Sequence, residues 1–151
     1  MSKPKYNTGI ICGSFDLIHP GYIRMFKDAK SVCKNLIVAL QGDPTIDRPH
    51  KCKPVQTLED RREVLEGLVY VDHIETYNTE KDLLELLQSV HHDVRILGSD
   101  YKGRENYTGA HLKKPVYYHT RDHDHSTTAL KEMIFKERLA YKSRKNQDIK
   151  K

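Results

Sequence analysis

Apolar positions along this chain fall into two patterns that alternate from end to end. Short runs of strand length occur at Gly9–Cys12, Leu36–Leu40, Ile74–Tyr77, Val94–Leu97 and Val116–Tyr118. Between them apolar residues recur every three or four positions, the period of one helix face. Ile23, Phe26, Ala29 and Cys33 share such a face, as do Val64, Leu65 and Leu68, and then Leu83, Leu84, Leu87 and Val90. A last helix is predicted to start near Ser126, a good N-cap, and to bury Leu130, Met133 and Ile134. Strands alternating with helices predict a mostly parallel sheet covered on both faces. The expected fold is α/β, Rossmann-like and doubly wound, with five mostly parallel strands and helices on both faces. In such a sheet a ligand binds at the carboxyl ends of the strands, where their order reverses.

Two long segments interrupt this rhythm. Gly42–Thr57 is polar and rich in Pro and Lys, and Asp100–Pro115 contains Gly103 and Gly109. Loops of this length in a compact domain are lids, binding loops or disordered. The chain of 151 residues suits one domain with a real core. Much of its +5 formal charge sits at the C-terminus, where Lys142, Arg144, Lys145, Lys150 and Lys151 face one acid, Asp148. This places the domain at residues 1–141 and leaves 142–151 as a basic tail, expected to be solvated and disordered. No helix in the body carries a basic stripe with interleaved aromatics, so nucleic acid is not an expected partner. No apolar run is long enough to span a bilayer, and Met1–Lys5 lack the apolar stretch of a secretion signal. A cytoplasmic protein without a membrane partner is expected. Cys12, Cys33 and Cys52 have no paired metal or redox spacing and read as reduced thiols, the first two in the core.

The chemistry concentrates in Gly13-Ser14-Phe15-Asp16-Leu17-Ile18-His19-Pro20-Gly21-Tyr22. This stretch follows a strand and leads into a helix. The free N–H groups and the dipole of a helix N-terminus favour an anion, here a phosphate. Pro20 suits the first turn. Gly13 and Gly21 allow the backbone to approach closely, Ser14 offers phosphate contacts, and Asp16 is expected to hold the loop through hydrogen bonds. Phe15 reads first as core packing. A second such place is Arg121-Asp122-His123-Asp124-His125-Ser126-Thr127-Thr128. There Ser126, Thr127 and Thr128 open a helix, and Arg121 adds a planar fork for phosphate. His119 and the alternating Asp and His after it are also of metal-ligand type. A Mg²⁺ bound mainly by a triphosphate is the expected metal, with no metal site of the protein's own.

The first stretch resembles the G-x-F-D-x-x-H-x-G-H motif of the cytidylyltransferase-like nucleotidylyltransferases, with Tyr22 standing where the family has its second His. The second resembles the family's R-T-x-G-x-S-T-[ST] segment, with Asp124 at the Gly position. Lys53–Arg61 resembles a basic lid followed by a helix bearing a phosphate-contacting Arg, and Gly98-Ser99-Asp100-Tyr101 resembles the G-[DS]-D-[WY] strand end. The resemblance implies catalytic roles for His19, Lys53 and Arg121. It implies nucleotide binding by Gly13, Ser14, Phe15, Asp16, His19, Gly21, Tyr22, Arg61, Gly98, Asp100, Arg121, Ser126, Thr127 and Thr128. Lys53 is taken before Lys51, and Arg61 before Arg62. The implied reaction moves a nucleotidyl group from a nucleoside triphosphate to a phosphorylated acceptor and releases pyrophosphate, with Mg²⁺, often in a homodimer. The small single-domain form is most similar to glycerol-3-phosphate cytidylyltransferases, which puts CTP and glycerol-3-phosphate first. The Lys-Pro-Val and Gly-Ser-Asp-Tyr stretches also resemble ATP-using heptose-phosphate nucleotidylyltransferases, so ATP with a sugar phosphate stays open. Tyr22 donates a hydrogen bond only as a neutral group, which implies slower turnover. A nucleotide-binding protein with weak or no catalysis is the rival reading.

Overall fold

Each apolar run forms a strand in the computed structural model, which describes residues 2–150. The strands are β1 (Tyr6–Gly13), β2 (Cys33–Gln41), β3 (His73–Tyr77), β4 (Val94–Gly98) and β5 (Val116–His119). The helices are α1 (Pro20–Val32), α2 (Leu58–Glu66), α3 (Glu80–Ser89) and α4 (Thr127–Ile149). All paired strands are parallel, in the order β3-β2-β1-β4-β5. The chain builds outward from β1 to β3, then returns to place β4 on the other side of β1. The order therefore reverses between β1 and β4, and the loops after these strands flank a crevice at the carboxyl edge.

Successive strand residues point to opposite faces, which divides the core in two. Ile11, Leu36, Val38, Leu40, Val94 and Ile96 pack with Phe26 and Ala29 of α1 and Leu65 of α2. On the other face Ile10, Ile37, Ala39 and Tyr77 pack with Leu83, Leu86 and Leu87 of α3. Full burial of one such side chain contributes roughly 1.5–3 kcal/mol. Cys33, expected on the α1 face, is instead the first residue of β2. Its backbone is already extended while its amide still reaches Ala29 O, and it is fully buried.

Side-chain caps fix the helix starts. Thr57 accepts the Asp60 amide, Ser126 accepts the Ala129 amide, and Thr79 with Asp82 closes a capping box at α3. Each such cap contributes about 1 kcal/mol.

The last helix departs from expectation in two ways. It continues for 23 residues to Ile149, so residues 142–149 are helical rather than a disordered tail. Lys142, Arg144, Lys145 and Gln147 are good helix formers and sustain the helix there. Nor does α4 bury its apolar residues: Met133 and Ile134 are 66% and 49% exposed, and Leu130 is only half-buried. The helix is ~34 Å long at 1.5 Å per residue. Past its first turns nothing among the described residues covers it.

Candidate active site

The entrance to α1 is built from its own sequence. His19 has extended backbone and serves as N-cap, its Nδ1 accepting the Gly21 amide at 3.1 Å. Pro20 has no amide to satisfy, and the Tyr22 and Ile23 amides reach His19 O at 3.0 and 3.4 Å. The first-turn amides that the sequence suggested for phosphate are therefore already engaged. The cap leaves something better placed. With Nδ1 accepting, the neutral imidazole carries its proton on Nε2 and stays a donor without being charged. Burial lowers the His19 pKa, and the positive groups of His125, His123 and Arg121 lower it further.

Tyr22 supports this imidazole rather than reaching outward. Its ring stacks on His19 at 4.2 Å between centroids and packs edge-on against Phe15 at 5.4 Å. Thr127 Oγ1 donates to Asp16 O at 2.8 Å, so the 3.2 Å contact between the two hydroxyls has Tyr22 as donor. The Tyr22 proton thus ties the start of α1 to the start of α4.

The loop between β1 and α1 is strained and firmly held. Phe15 and Leu17 have φ of 48° and 53°, a left-handed conformation uncommon for bulky residues. Such strain persists where the surroundings over-determine it. Phe15 turns its ring into the core, 2% exposed, which leaves only its backbone for a ligand. Asp16 is buried and accepts the Val55 and Gln56 amides at 2.7 and 3.0 Å, with Lys131 Nζ of α4 at 3.3 Å. Gln56 Oε1 takes the Leu17 amide at 3.0 Å. Arg61 is 2% exposed and donates to Ser14 O, Gln41 O and Gly42 O at 2.8, 2.6 and 2.7 Å. Its guanidinium clamps the ends of β1, β2 and the Gly42–Thr57 loop, so its donors serve backbone carbonyls.

The second motif faces the first. Ser126 caps α4 through Ala129, leaving the amides of Thr127 and Thr128 as the open donors of that N-terminus. Arg121 Nη2 donates to His125 O at 2.8 Å and folds the loop before the helix. The His125 ring lies 6.2 Å from that of His19 and 5.2 Å from that of His123. Burial lowers the His123 pKa, with Arg24, His125 and Arg121 adding to the effect. A cavity of about 160 Å³ opens between the arms, lined by His19, Gly21, Met25, His119, Arg121 and Ser126 among others. Gly21 is required here, because a Cβ would lie 2.5 Å from His123 Cε1 and 2.9 Å from His19 Cε1.

The remaining expected residues lie around this centre. A Cβ on Gly98 would meet Asp100 Oδ1 at 2.5 Å, which the exposed Asp100 side chain can relieve by turning away. Lys53 is 76% exposed on the Gly42–Thr57 loop, 3.8 Å from Asp43. Three residues that the sequence did not single out for the site also take part: Gln56, Met25 and Asp28. Asp28 Oδ2 lies 2.7 Å from His119 Nδ1, a pairing 91 residues apart that no local pattern signals. The inward groups of the site are imidazole, guanidinium and amide donors, with the one buried carboxylate, Asp16, already engaged. Such a set suits an anion.

A parallel α/β sheet with two helix starts converging on one cavity frames the molecule, and the comparisons place it further. Residues 10–133 match the family model described as cytidylyltransferase-like. The chain belongs to this family. It is 35% identical over 105 residues to the bifunctional protein HldE of Wolinella succinogenes, covering 69% of this chain and 22% of that protein. It is 35% identical over 102 residues to the FAD synthase of Archaeoglobus fulgidus, covering 68% of this chain and 72% of that protein. The chain thus spans about a fifth of the HldE protein and nearly three quarters of the FAD synthase. The crystal structure of the lipopolysaccharide core biosynthesis protein from Thermoplasma volcanium shares the fold, with a TM-score of 0.63 and 24% identity over 78% of this chain and 99% of that one.

Proposed function

We propose that this chain is a nucleotidylyltransferase. The observation that carries the proposal is the convergence of His19 and the start of α4 on one cavity. The triphosphate lies between His19 Nε2, Arg121 and the amides of Thr127 and Thr128. A phosphate oxygen of the acceptor attacks the α-phosphorus. The bond from that phosphorus to the α–β bridging oxygen breaks, and pyrophosphate leaves with the electron pair. Negative charge grows on the bridging oxygen, where His19 and Arg121 donate hydrogen bonds that strengthen in the transition state. No protein nucleophile is needed; the work is positioning and charge stabilisation. Lys53, exposed on the polar Gly42–Thr57 loop, is assigned to the leaving pyrophosphate. Mg²⁺ would be held mainly by the triphosphate rather than by residues of the chain, and would supply charge neutralisation of its oxygens.

Two forms of the reaction have support. CMP transfer from CTP to a small phosphorylated alcohol, glycerol-3-phosphate first, fits the motifs and the family description. AMP transfer from ATP to a sugar phosphate, or to another phosphorylated acceptor, fits the relatives, one of which is named for a product containing adenine. The two stand level. The exposed apolar residues of α4 favour a homodimer in which a second copy covers them.

Pyrophosphate release with Mg²⁺ tests this, crossing CTP and ATP against glycerol-3-phosphate, phosphocholine, phosphoethanolamine and heptose-1-phosphate. Release with one pair supports the transferase and names its substrates. Binding of nucleotide without release across the panel favours a binding protein.

A further inference from the structure

His119 lines the same cavity as His19. It ends β5 and is 8% exposed. Its Nδ1 lies 2.7 Å from Asp28 Oδ2, and Tyr117 OH donates to Asp28 Oδ1 at 2.9 Å. A carboxylate whose two oxygens are so engaged only accepts, so in the neutral imidazole of His119 the proton sits on Nδ1 and Nε2 presents a lone pair. That Nε2 is buried and has no hydrogen-bond partner among the described residues. Buried polar atoms are nearly always paired, and an exception calls for an explanation.

The cavity supplies one. At about 160 Å³ it is smaller than the roughly 300–1,000 Å³ of sites that enclose a whole drug-sized ligand. It suits a single ring system. Its lining includes His19, Arg121 and Thr127 of the proposed phosphate site, and beside them Gly21, Met25 and His119. A nucleotide with its phosphates on the first three is left the side of Gly21, Met25 and His119 for its base. Among the lining residues, His119 Nε2 is the buried side-chain polar atom without a partner, and it is an acceptor.

We propose that His119, oriented by Asp28 and Tyr117, reads the base by accepting a hydrogen bond from its exocyclic amino group. This rests on the nucleotide reading above. Cytosine and adenine carry an amino donor at the corresponding edge, whereas uracil and guanine carry a keto oxygen there. The keto oxygen meets a lone pair and leaves both atoms unpaired in a buried place. The pocket therefore selects CTP and ATP and rejects UTP and GTP. Within this account a leucine could fill the volume of His119 but could not discriminate.

The test is calorimetric binding of CTP, ATP, UTP, GTP and tripolyphosphate to the full chain with Mg²⁺ and no acceptor, so that catalysis plays no part. The wild type is expected to bind at least one of CTP and ATP about tenfold or more tighter than UTP and GTP. In His119→Leu that preference should collapse to about threefold or less, with tripolyphosphate affinity unchanged. Nitrogen NMR of the wild type gives a second readout that needs no variant. His119 Nε2 should appear unprotonated, and its resonance should move with the preferred triphosphate and not with UTP. Binding of all four triphosphates without preference, or a protonated Nε2, overturns the base-reading role and leaves the nucleotide site standing. Absence of binding by any triphosphate overturns both.

Discussion

His19 does two jobs with two nitrogens, and they can be separated. Nδ1 caps α1, and in the proposed reaction Nε2 donates to the phosphates. Asparagine is a good N-cap but too short to place a donor where Nε2 lies. His19→Asn is expected to melt within a few degrees of the wild type while kcat/KM falls about 10²–10³-fold, the usual cost of one transition-state donor. Equal activity in His19→Asn would remove Nε2 from the account. The lowered pKa values of His19, His92 and His123 set two opposite pH trends. In the free protein each binds fewer protons folded than unfolded below its ordinary value of about 6.5. Their contribution to stability is therefore complete above about pH 6.5 and is lost as pH falls through the folded values. Asp43 and Asp82, held below the ordinary carboxylate value, act only in a more acid range. Melting temperature should rise with pH across the window just below about 6.5, and His92→Gln should flatten the rise. Nucleoside triphosphate reverses the sign at His123, because an anion beside an imidazole favours its charged form, while His19 keeps Nδ1 as the acceptor of the Gly21 amide. Triphosphate binding should take up protons, which calorimetry in buffers of different ionisation enthalpy measures directly.

At the scale of elements, the site depends on a clamp that no motif describes. Arg61 lies in a stretch resembling a phosphate-contacting helix, yet its donors end on the carbonyls of Ser14, Gln41 and Gly42. Removing the guanidinium leaves these acceptors without their donor, at about 1–3 kcal/mol for each buried unsatisfied group. Arg61→Ala is expected to lose about 3 kcal/mol or more in urea unfolding. A loss under about 0.5 kcal/mol would mean the clamp is not structural. Strands and helix starts were legible because their signals are local: apolar runs, Pro20 in a first turn, Ser126 before an apolar-periodic stretch. The loop residues of the motif were legible by type. What they bond to was not, because their partners are remote: Asp16 with Val55, Tyr22 with Thr127, His119 with Asp28. Tyr22 shows the difference well. Its hydroxyl was legible as a donor, but only the fold shows that Thr127 takes the proton.

The whole molecule has one covered sheet and one uncovered helix. The periodicity of Leu130, Met133 and Ile134 predicted a buried face on α4, yet Met133 and Ile134 are exposed, because a sequence carries no information about whether its own chain will cover them. Exposed apolar residues at Met133, Ile134, Phe135 and Leu139 are what a second copy would bury. Sedimentation should show a dimer that Met133→Glu with Ile134→Glu converts to monomer while the melting temperature of the domain changes little. A wild-type monomer at tens of micromolar would remove the second copy from the proposal. No helix among the described residues is long and apolar enough to cross a membrane, so the exposed α4 face is not read as a span. The two converging helix starts are held together across the whole chain by Tyr22, Thr127, Asp16 and Lys131. That assembly, rather than any one residue, is what the proposed reaction requires.

The most direct test follows the phosphorus atoms. CTP or ATP labelled at the α position is incubated with Mg²⁺ and the phosphorylated acceptor that gives pyrophosphate release. The account predicts that the α-phosphorus label appears in the acceptor product in equal amount to the pyrophosphate released, and that label at the γ position stays in pyrophosphate. Transfer of the γ label to the acceptor, or retention of the α label in unreacted nucleotide that is bound but never turned over, would contradict it.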